Sequence, residues 1–84
     1  MAFYVYILYS ASIDKFYIGH TSQAISERIR RHLSSHKGFT SRAKDWQLYY
    51  HEEFTSKSLA YKREMEIKRK KSRKYIIGLK FSAK

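Results

Sequence analysis

Two tyrosines stand where neighbouring strands would bring them together. Residues 16–21 read FYIGHT, Tyr6 lies in FYVYIL, and ten residues separate Tyr6 from Tyr17. The structural interpretation is a β-hairpin whose tyrosines fill a core, and the functional one is an active site with two facing phenols. Taken singly, each tyrosine is more simply explained as a core residue, because tyrosine rings bury well and leave the hydroxyl at the edge.

Further candidates lie in two helical segments. Arg28 and His32 are spaced i, i+4 and so share one helix face, where either could equally be an ordinary surface side chain. Glu64 is one of only two acids in the strongly basic last third of the chain. Its structural explanation is an ion pair with Lys68 at the favoured i, i+4 spacing. The other acid, Glu66, can pair with Lys70 in the same way. Because Glu66 shares no face with Ala60, it is the better candidate for a purely structural acid, and Glu64 is the better candidate for chemistry.

The elements that would position these residues can be read from local patterns. Aromatic and β-branched runs predict three strands, at residues 3–10, 16–20 and 46–54. Apolar residues at i, i+4 and i+8 predict a helix over 23–33, capped by Thr21 or Ser22, with a buried stripe of Ile25, Ile29 and Leu33. A polar loop is expected over 34–45.

A second helix is predicted after residue 54, with Thr55, Ser56 or Ser58 as the cap. On this helix one broad face is expected to hold Leu59, Ala60, Arg63, Glu64 and Ile67. Residues 75–79 fit either a short terminal helix or a strand. The order is therefore β-β-α-β-α with a last element left open. We expect one domain over residues 1–84 of the α+β class, with a small three-stranded, mainly antiparallel sheet flanked by helices.

The charge points to a polyanionic partner. The formal net charge of the 84 residues is +11, and residues 57–84 hold eleven basic and two acidic side chains. Each phosphate that a cation neutralises releases counterions, so nucleic acid is the favoured partner over a merely solubilising surface. A membrane is the weakest candidate. No apolar run is long enough to span a bilayer, the chain has no cysteine, and the first residues read as a strand rather than a signal peptide, so a cytoplasmic protein is expected.

The motifs together resemble the GIY-YIG endonuclease family over nearly the whole chain. Tyr17-Ile18-Gly19 gives the second half of the family's name intact, whereas the first half stands as Tyr4-Val5-Tyr6 with only its tyrosine kept. The helix with Arg28 and His32 and the run SLAYKREMEIK, with its Glu64, follow in the family's order. The middle of the chain is similar to the short, stand-alone bacterial branch, and the domain resembles the N-terminal domain of excision-repair nucleases.

The resemblance implies a metal-dependent nuclease that hydrolyses phosphodiester bonds. Glu64 would hold one Mg²⁺ or Mn²⁺ ion, and Arg28 would grip the scissile phosphate. Tyr6 would orient or deprotonate the water with help from Tyr17, and His32 would relay the proton or bind a phosphate oxygen. Substrate contacts are expected from Gly19, which permits a close turn or ligand approach, and from a basic set made of His20, Lys68, Lys70, Lys71 and Lys74.

Several departures from the family's pattern bear on this assignment. The interval from Tyr17 to Arg28 is one residue longer than usual. An insertion inside the helix would turn Arg28 by about 100° from the pocket, whereas one in TSQAIS would not, and the regular apolar stripe favours the loop. The asparagine that many relatives carry near the C-terminus has no match, since the chain contains no Asn.

Two functions remain open at the level of sequence. We expect a nuclease for DNA more than RNA, on structured or single-stranded substrates, with repair, recombination and foreign-DNA handling all compatible. The alternative is a basic nucleic-acid-binding module that keeps the fold without catalysis, and a partner subunit is a weaker third. The chain could act as a monomer or a weak dimer, because its eight tyrosines suit a dimer patch as well as a stacking surface.

Overall fold

The computed structural model describes the backbone of residues 2–34 and 43–82 and the side chains of 2–31 and 43–81. The predicted α+β class and its three-stranded antiparallel sheet are confirmed. The elements follow the order β1 (Phe3–Ser10), β2 (Lys15–Thr21), α1 (Ile25–Ser34), β3 (Gln47–Phe54), α2 (Lys57–Lys70) and α3 (Arg73–Ser82). Most of the predicted loop 34–45 lies outside the described residues. No helix among the described residues is long and apolar enough to cross a membrane.

β1 is the central strand of the sheet, whose order is β2-β1-β3 with both pairs antiparallel. Its apolar run from Val5 to Leu8 is fully buried, as expected for a strand covered on both faces. The register pairs Tyr6 with Gly19 and Val5 with His20. Because side chains alternate along a strand, Tyr6 and His20 lie on opposite faces of the sheet.

Each face of the sheet carries its own core. On one face, Val5 and Ile7 pack with residues of α2 and α3, among them Ala60, Ile67 and Ile76. On the other face, the core consists of Tyr6, Leu8, Ala43 and Trp46, against which Tyr17, Ile13 and Ile29 of α1 pack. The sheet therefore separates the face covered by α2 and α3 from the face that carries the two motif tyrosines and packs against α1.

The ends of the helices follow local capping rules. The hydroxyl of Ser56 accepts a hydrogen bond from the backbone N–H of Leu59 at 3.2 Å and caps α2. Lys71 ends that helix in the left-handed conformation (φ 48°), and the hydroxyl of Ser72 accepts from Tyr75 N–H at 3.1 Å at the start of α3. The tail left open between helix and strand is therefore helical.

The predicted start of the first helix is wrong. α1 begins at Ile25 rather than at Gln23, and the hydroxyl of Thr21 accepts from the backbone N–H of Gln23 at 3.0 Å in the turn before the helix. Of the face of α2 that was predicted from spacing, Ala60, Glu64 and Ile67 are buried against the sheet, whereas Leu59 is 47% exposed.

Candidate active site

The close packing of Tyr6 on Gly19 defines one side of the site. A Cβ atom placed on Gly19 would lie 2.7 Å from the hydroxyl oxygen of Tyr6 and 2.9 Å from its Cζ atom. Gly19 lies inside β2, so of the two uses predicted for it the close turn is absent and the close approach of a ligand stays a prediction. The missing side chain makes room for a phenol from the neighbouring strand, which is the arrangement by which an aromatic ring covers a strand glycine.

Arg28 reaches this phenol from α1. Its Nε–H donates a hydrogen bond to the Tyr6 hydroxyl at 3.3 Å, so the longer interval before Arg28 does not turn it away from the tyrosines. The rings of Tyr6 and Tyr17 have centroids 6.3 Å apart and lie on the same face of the sheet. The structure thus brings together three of the predicted site residues.

The buried phenol is a weak proton acceptor in this environment. Burial raises the pKa of Tyr6 above its ordinary value, and the hydrogen bond from Arg28 opposes this without outweighing it. The negative charges that Tyr17 and Glu64 can carry push the pKa of Tyr6 in the same upward direction as burial. Tyr6 is therefore protonated at neutral pH and can orient its neighbours through hydrogen bonds.

Glu64 lies on the other face of β2, buried beneath the side chains of His20 and Lys68. It is only 6% exposed. One of its carboxylate oxygens contacts Nδ1 of His20, and the other accepts a hydrogen bond from Nζ of Lys68 at 2.6 Å, the predicted i, i+4 pair. The His20 ring also packs edge-on against Tyr61, with centroids 5.7 Å apart. His20 thus contacts the acid and also lines the cavity beside Arg28, and its use for substrate stays a prediction.

The two halves of the site meet at the edge strand. Gly19, which packs on Tyr6, and His20, which contacts Glu64, are consecutive residues of β2 and point to opposite faces. Glu64 is nevertheless near enough to Tyr6 for its charge to act on the pKa of that phenol. The carboxylate and the phenol therefore belong to one electrostatic environment, although the sheet separates their side chains.

A divalent ion fits Glu64 as a single protein ligand. Among the described residues no group of three or more His, Asp, Glu or Cys side chains could enclose a metal. Mg²⁺ commonly binds through one or two carboxylates and takes its other ligands from water and phosphate. The Lys68 side chain is 47% exposed and can move into solvent, so the hard oxygen that it covers can be released.

A cavity of about 320 Å³ opens beside Arg28, at the end of β2. Besides Arg28 and His20 it is lined by Arg31 and Lys57, two cations that the sequence interpretation did not select. Arg31 had a usable signal, since it stands three residues after Arg28 on the same side of the helix. Lys57 had none, because only the packing of α2 brings it to this cavity. The cluster of positive charge suits a phosphate group.

The four lysines predicted to bind substrate differ in their contacts. Lys68 is held by Glu64, and Lys70 lies over the ring of Tyr75, with Nζ 5.4 Å from its centroid. Lys68 and Lys71 line a groove next to Tyr17, whereas Lys74 is exposed on α3. His32 falls within α1, but its side chain lies outside the described residues.

Glu66 takes a different partner from the predicted Lys70. Nη1 of Arg63 donates to Glu66 at 2.6 Å, while Nε and Nη2 of the same guanidinium donate to the two oxygens of Glu52 at 2.9 and 3.0 Å. Arg63 also donates to the hydroxyl of Tyr75 at 3.1 Å. This network joins α2 to β3 and α3 and includes neither Tyr6 nor Tyr17. Glu66 is therefore a structural acid, as its comparison with Glu64 suggested.

Comparison with known proteins identifies the chain at the level of a family. A family model described as the GIY-YIG catalytic domain matches residues 2–76. No curated protein and no solved structure matched the chain. The match covers both tyrosines, Arg28, His20 and Glu64, and therefore both halves of the site.

Proposed function

The chain belongs to the GIY-YIG family, whose catalytic domain is a nuclease acting on nucleic acid, and we propose that it is a divalent-metal-dependent endonuclease that prefers DNA to RNA. The observation that carries this proposal is the buried Glu64 carboxylate, contacted by Lys68 and His20, together with the phenol and guanidinium pair made by Tyr6 and Arg28. A fold maintained only for binding phosphate would gain nothing from a carboxylate near its docking site.

Arg28 is the proposed phosphate-binding residue. Its Nε–H is used by Tyr6, so the terminal amino groups are the part of the guanidinium that can bind a phosphate in the adjoining cavity. The hydrogen bond from Nε–H to a buried phenol limits the rotation of the Arg28 side chain. It would thereby hold the positive guanidinium where negative charge develops on the phosphate oxygens during the reaction. Arg31 and Lys57 would neutralise neighbouring phosphates in the same cavity.

Glu64 is the proposed metal-binding residue, and a bound Mg²⁺ or Mn²⁺ ion would supply an activated water and charge stabilisation at phosphorus. In the free protein Lys68 and His20 cover the two carboxylate oxygens. The exposed Lys68 would exchange Glu64 for a substrate phosphate, while His20 would hold the carboxylate in position. This ordering gives the lysine a charge partner both before and after substrate binds.

The phenols have distinct proposed roles. Tyr6 is 1% exposed and protonated, so we assign it to orienting Arg28 and the attacking water rather than to deprotonating that water unaided. Tyr17 is only partly buried and is the better placed of the two to meet substrate and assist. His32 remains a candidate for proton relay.

A second function is favoured by one observation. The contacts of Glu64 with Lys68 and His20 satisfy both carboxylate oxygens, as in a purely structural ion cluster. On that account the protein would bind nucleic acid through its basic surface without cutting it. The two functions differ in what happens when the charge of Glu64 is removed without changing its shape.

A cleavage assay with isosteric variants distinguishes them. Labelled single-stranded, duplex and branched DNA and RNA are incubated with Mg²⁺, with Mn²⁺ and with chelator. We expect metal-dependent cutting that falls at least about a hundredfold in Glu64→Gln, because the metal supplies several kcal/mol of transition-state stabilisation. Glu66→Gln, which changes the exposed acid on the same helix, is the matched control and should cut normally.

Binding measurements make the outcome specific. Calorimetric titration with Mn²⁺ in the presence of uncut substrate analogue should show an ion bound by the wild-type protein and lost in Glu64→Gln. Substrate affinity without metal should be unchanged or higher, since an acid near phosphate has been neutralised. Tight binding with no cutting of any substrate under either metal would reject the nuclease and support the binding module.

A further inference from the structure

A second groove, separate from the Arg28 cavity, runs along the outer edge of β2. It measures about 350 Å³, and its floor is formed by Ile18 of β2 together with Ile67 and Ile76 of the two C-terminal helices. Tyr17 lines the groove as well. An apolar floor beside a predicted catalytic tyrosine is not explained by phosphate binding, which needs only cations.

The rim of the same groove is basic. It is lined by Lys68 in the last turn of α2, by Lys71 at the end of that helix and by Arg73 at the start of α3. Lys71 is placed there because it ends α2 in the left-handed conformation. Arg73 stacks over the ring of Phe16, with Cζ 5.2 Å from the centroid, and is also paired with Asp14. Lys68 is held by Glu64, which leaves Lys71 as the rim cation best placed for a phosphate.

The groove and the Arg28 cavity flank one short stretch of β2. Tyr17 lines the groove and His20 lines the cavity, and three residues of extended strand span about 10 Å. Within the described residues β2 pairs only with β1, so its outer edge is covered by no strand. Neighbouring nucleotides of one nucleic-acid strand laid along this edge could fill the two sites together.

We propose that this groove receives the base of an unpaired nucleotide adjacent to the scissile phosphate. The inference deepens the proposed nuclease function and rests on it, since it assigns the substrate a single-stranded or flipped-out nucleotide at this position. The base would lie on the isoleucine floor next to Phe16, whose ring shares that face of the sheet, and Lys71 would bind its phosphate. A base inside a duplex cannot enter such a groove without leaving its stack.

Another occupant of a free strand edge would be an extended peptide pairing with β2. Two features of the groove favour the nucleotide. The three charged side chains that line its rim are all cations, which matches a phosphodiester backbone and not a generic peptide. The groove is also continuous with Tyr17 and with the Lys68 partner of Glu64, both parts of the proposed catalytic site.

Binding to modified single strands in chelator tests the proposal without any cutting. A labelled oligonucleotide is compared by fluorescence anisotropy with strands in which one base at a time is removed to leave an abasic sugar. We expect one position at which loss of the base weakens binding about tenfold, the scale of one stacked base. A fully paired duplex of the same sequence should bind more weakly than the single strand. Equal binding of every abasic strand and of the duplex would overturn the proposal.

Variants locate the effect in the groove. Ile18→Ala should shrink the difference between intact and abasic strands, whereas Leu59→Ala, which shortens an exposed aliphatic residue elsewhere, should keep it. Lys71→Gln should lower the affinity for all single strands and reduce the slope of log affinity against log salt by about 0.7, and Lys62→Gln should not alter the preference for the intact base. A Lys71 effect with no abasic effect would make the groove a phosphate track and reject the base site.

The same samples separate this proposal from the nuclease proposal. With metal added, cutting that is independent of every abasic position would remove the base site and leave the nuclease intact. A position-specific base effect on binding, with no cutting under any metal, would retain the groove as a nucleotide site and reject the nuclease. Thermal unfolding of each variant shows whether Ile18→Ala is folded. Because Lys71 is exposed, Lys71→Gln tests the groove independently of any effect on folding.

Discussion

Replacing Gly19 with alanine tests the packing that holds the site together. The added Cβ would lie 2.7 Å from Oη and 2.9 Å from Cζ of Tyr6, and both distances are shorter than the contacts that a Cβ atom makes with non-bonded atoms. Tyr6 is 1% exposed, its ring lies in the core with Leu8 and Trp46, and its hydroxyl is bound by Arg28. The ring therefore has no nearby space into which it can move.

The magnitude follows from two opposing contributions. Overpacking a tight core costs about 1–3 kcal/mol. Alanine in a strand regains about 0.5–1 kcal/mol of backbone entropy relative to glycine. We expect Gly19→Ala to lower the free energy of unfolding by about 1–2 kcal/mol, which for a domain of this size lowers Tm by roughly 4–16 °C.

Urea and thermal unfolding of five proteins measure this effect: the wild type, the three single variants named here and the double variant. Gly78→Ala is the matched control, because a Cβ at Gly78, inside α3, meets nothing within 4 Å and alanine is the better helix former. Gly78→Ala should raise stability by about 1 kcal/mol. Tyr6→Phe removes the atom at 2.7 Å, so Gly19→Ala should cost less in that background than in the wild type. Equal costs in both backgrounds, or no cost at all, would refute the assigned contact.

Two further variants probe charged side chains. Arg28→Lys keeps the positive charge but loses the planar guanidinium that Tyr6 holds. We expect kcat to fall about 10²–10³-fold with little change in KM. An equal fall in substrate affinity would instead make Arg28 a docking residue. Arg63→Met should lower the free energy of unfolding by about 2 kcal/mol at pH 7. Burial raises the pKa of Glu52, but hydrogen bonds from Arg63 and Tyr50 outweigh it and hold that pKa below its ordinary 4.5. The stability from this pair is therefore present above pH 4.5 and lost as the pH falls through the lower folded pKa. Urea unfolding between pH 3 and 7 should show a shallower acid-side fall in Arg63→Met, and an unchanged slope would contradict the pairing.

The strands and the main helices were predictable because local chemistry and packing agree in them. The run from Phe3 to Ser10 is aromatic and β-branched, and such a strand suits the centre of a sheet. Ser56 caps α2 as its position before a helical pattern indicated. The pairing of Glu64 with Lys68 also followed from spacing alone, because helix geometry fixes which residues meet at i, i+4.

The contact between His20 and Glu64 was only half predictable. Strand alternation already places His20 on the face opposite Gly19, so a role beside the tyrosines was the weaker interpretation. That α2 lies on this opposite face depends on packing between residues 44 positions apart, which no local pattern reports. Spacing also allowed two partners for Glu66, Arg63 at i, i+3 and Lys70 at i, i+4, and the contact of Arg63 with Glu52 from β3, which no local pattern reports, accompanies the first.

The position of β2 at the edge of the sheet explains how residues on opposite faces can serve one reaction. In a central strand the backbone and its neighbours would separate Tyr6 and Arg28 from Glu64. At an edge the two faces converge on one rim, and a substrate strand lying along that rim meets both. The chain direction then matters: Gly19 gives space to the phenol on one side, and the next residue, His20, reaches the carboxylate on the other. In the described part of the chain no strand pairs with the outer edge of β2, and any strand that did so would cover the rim. An unpaired edge, which is usually an aggregation hazard, would therefore be a requirement of the proposed function.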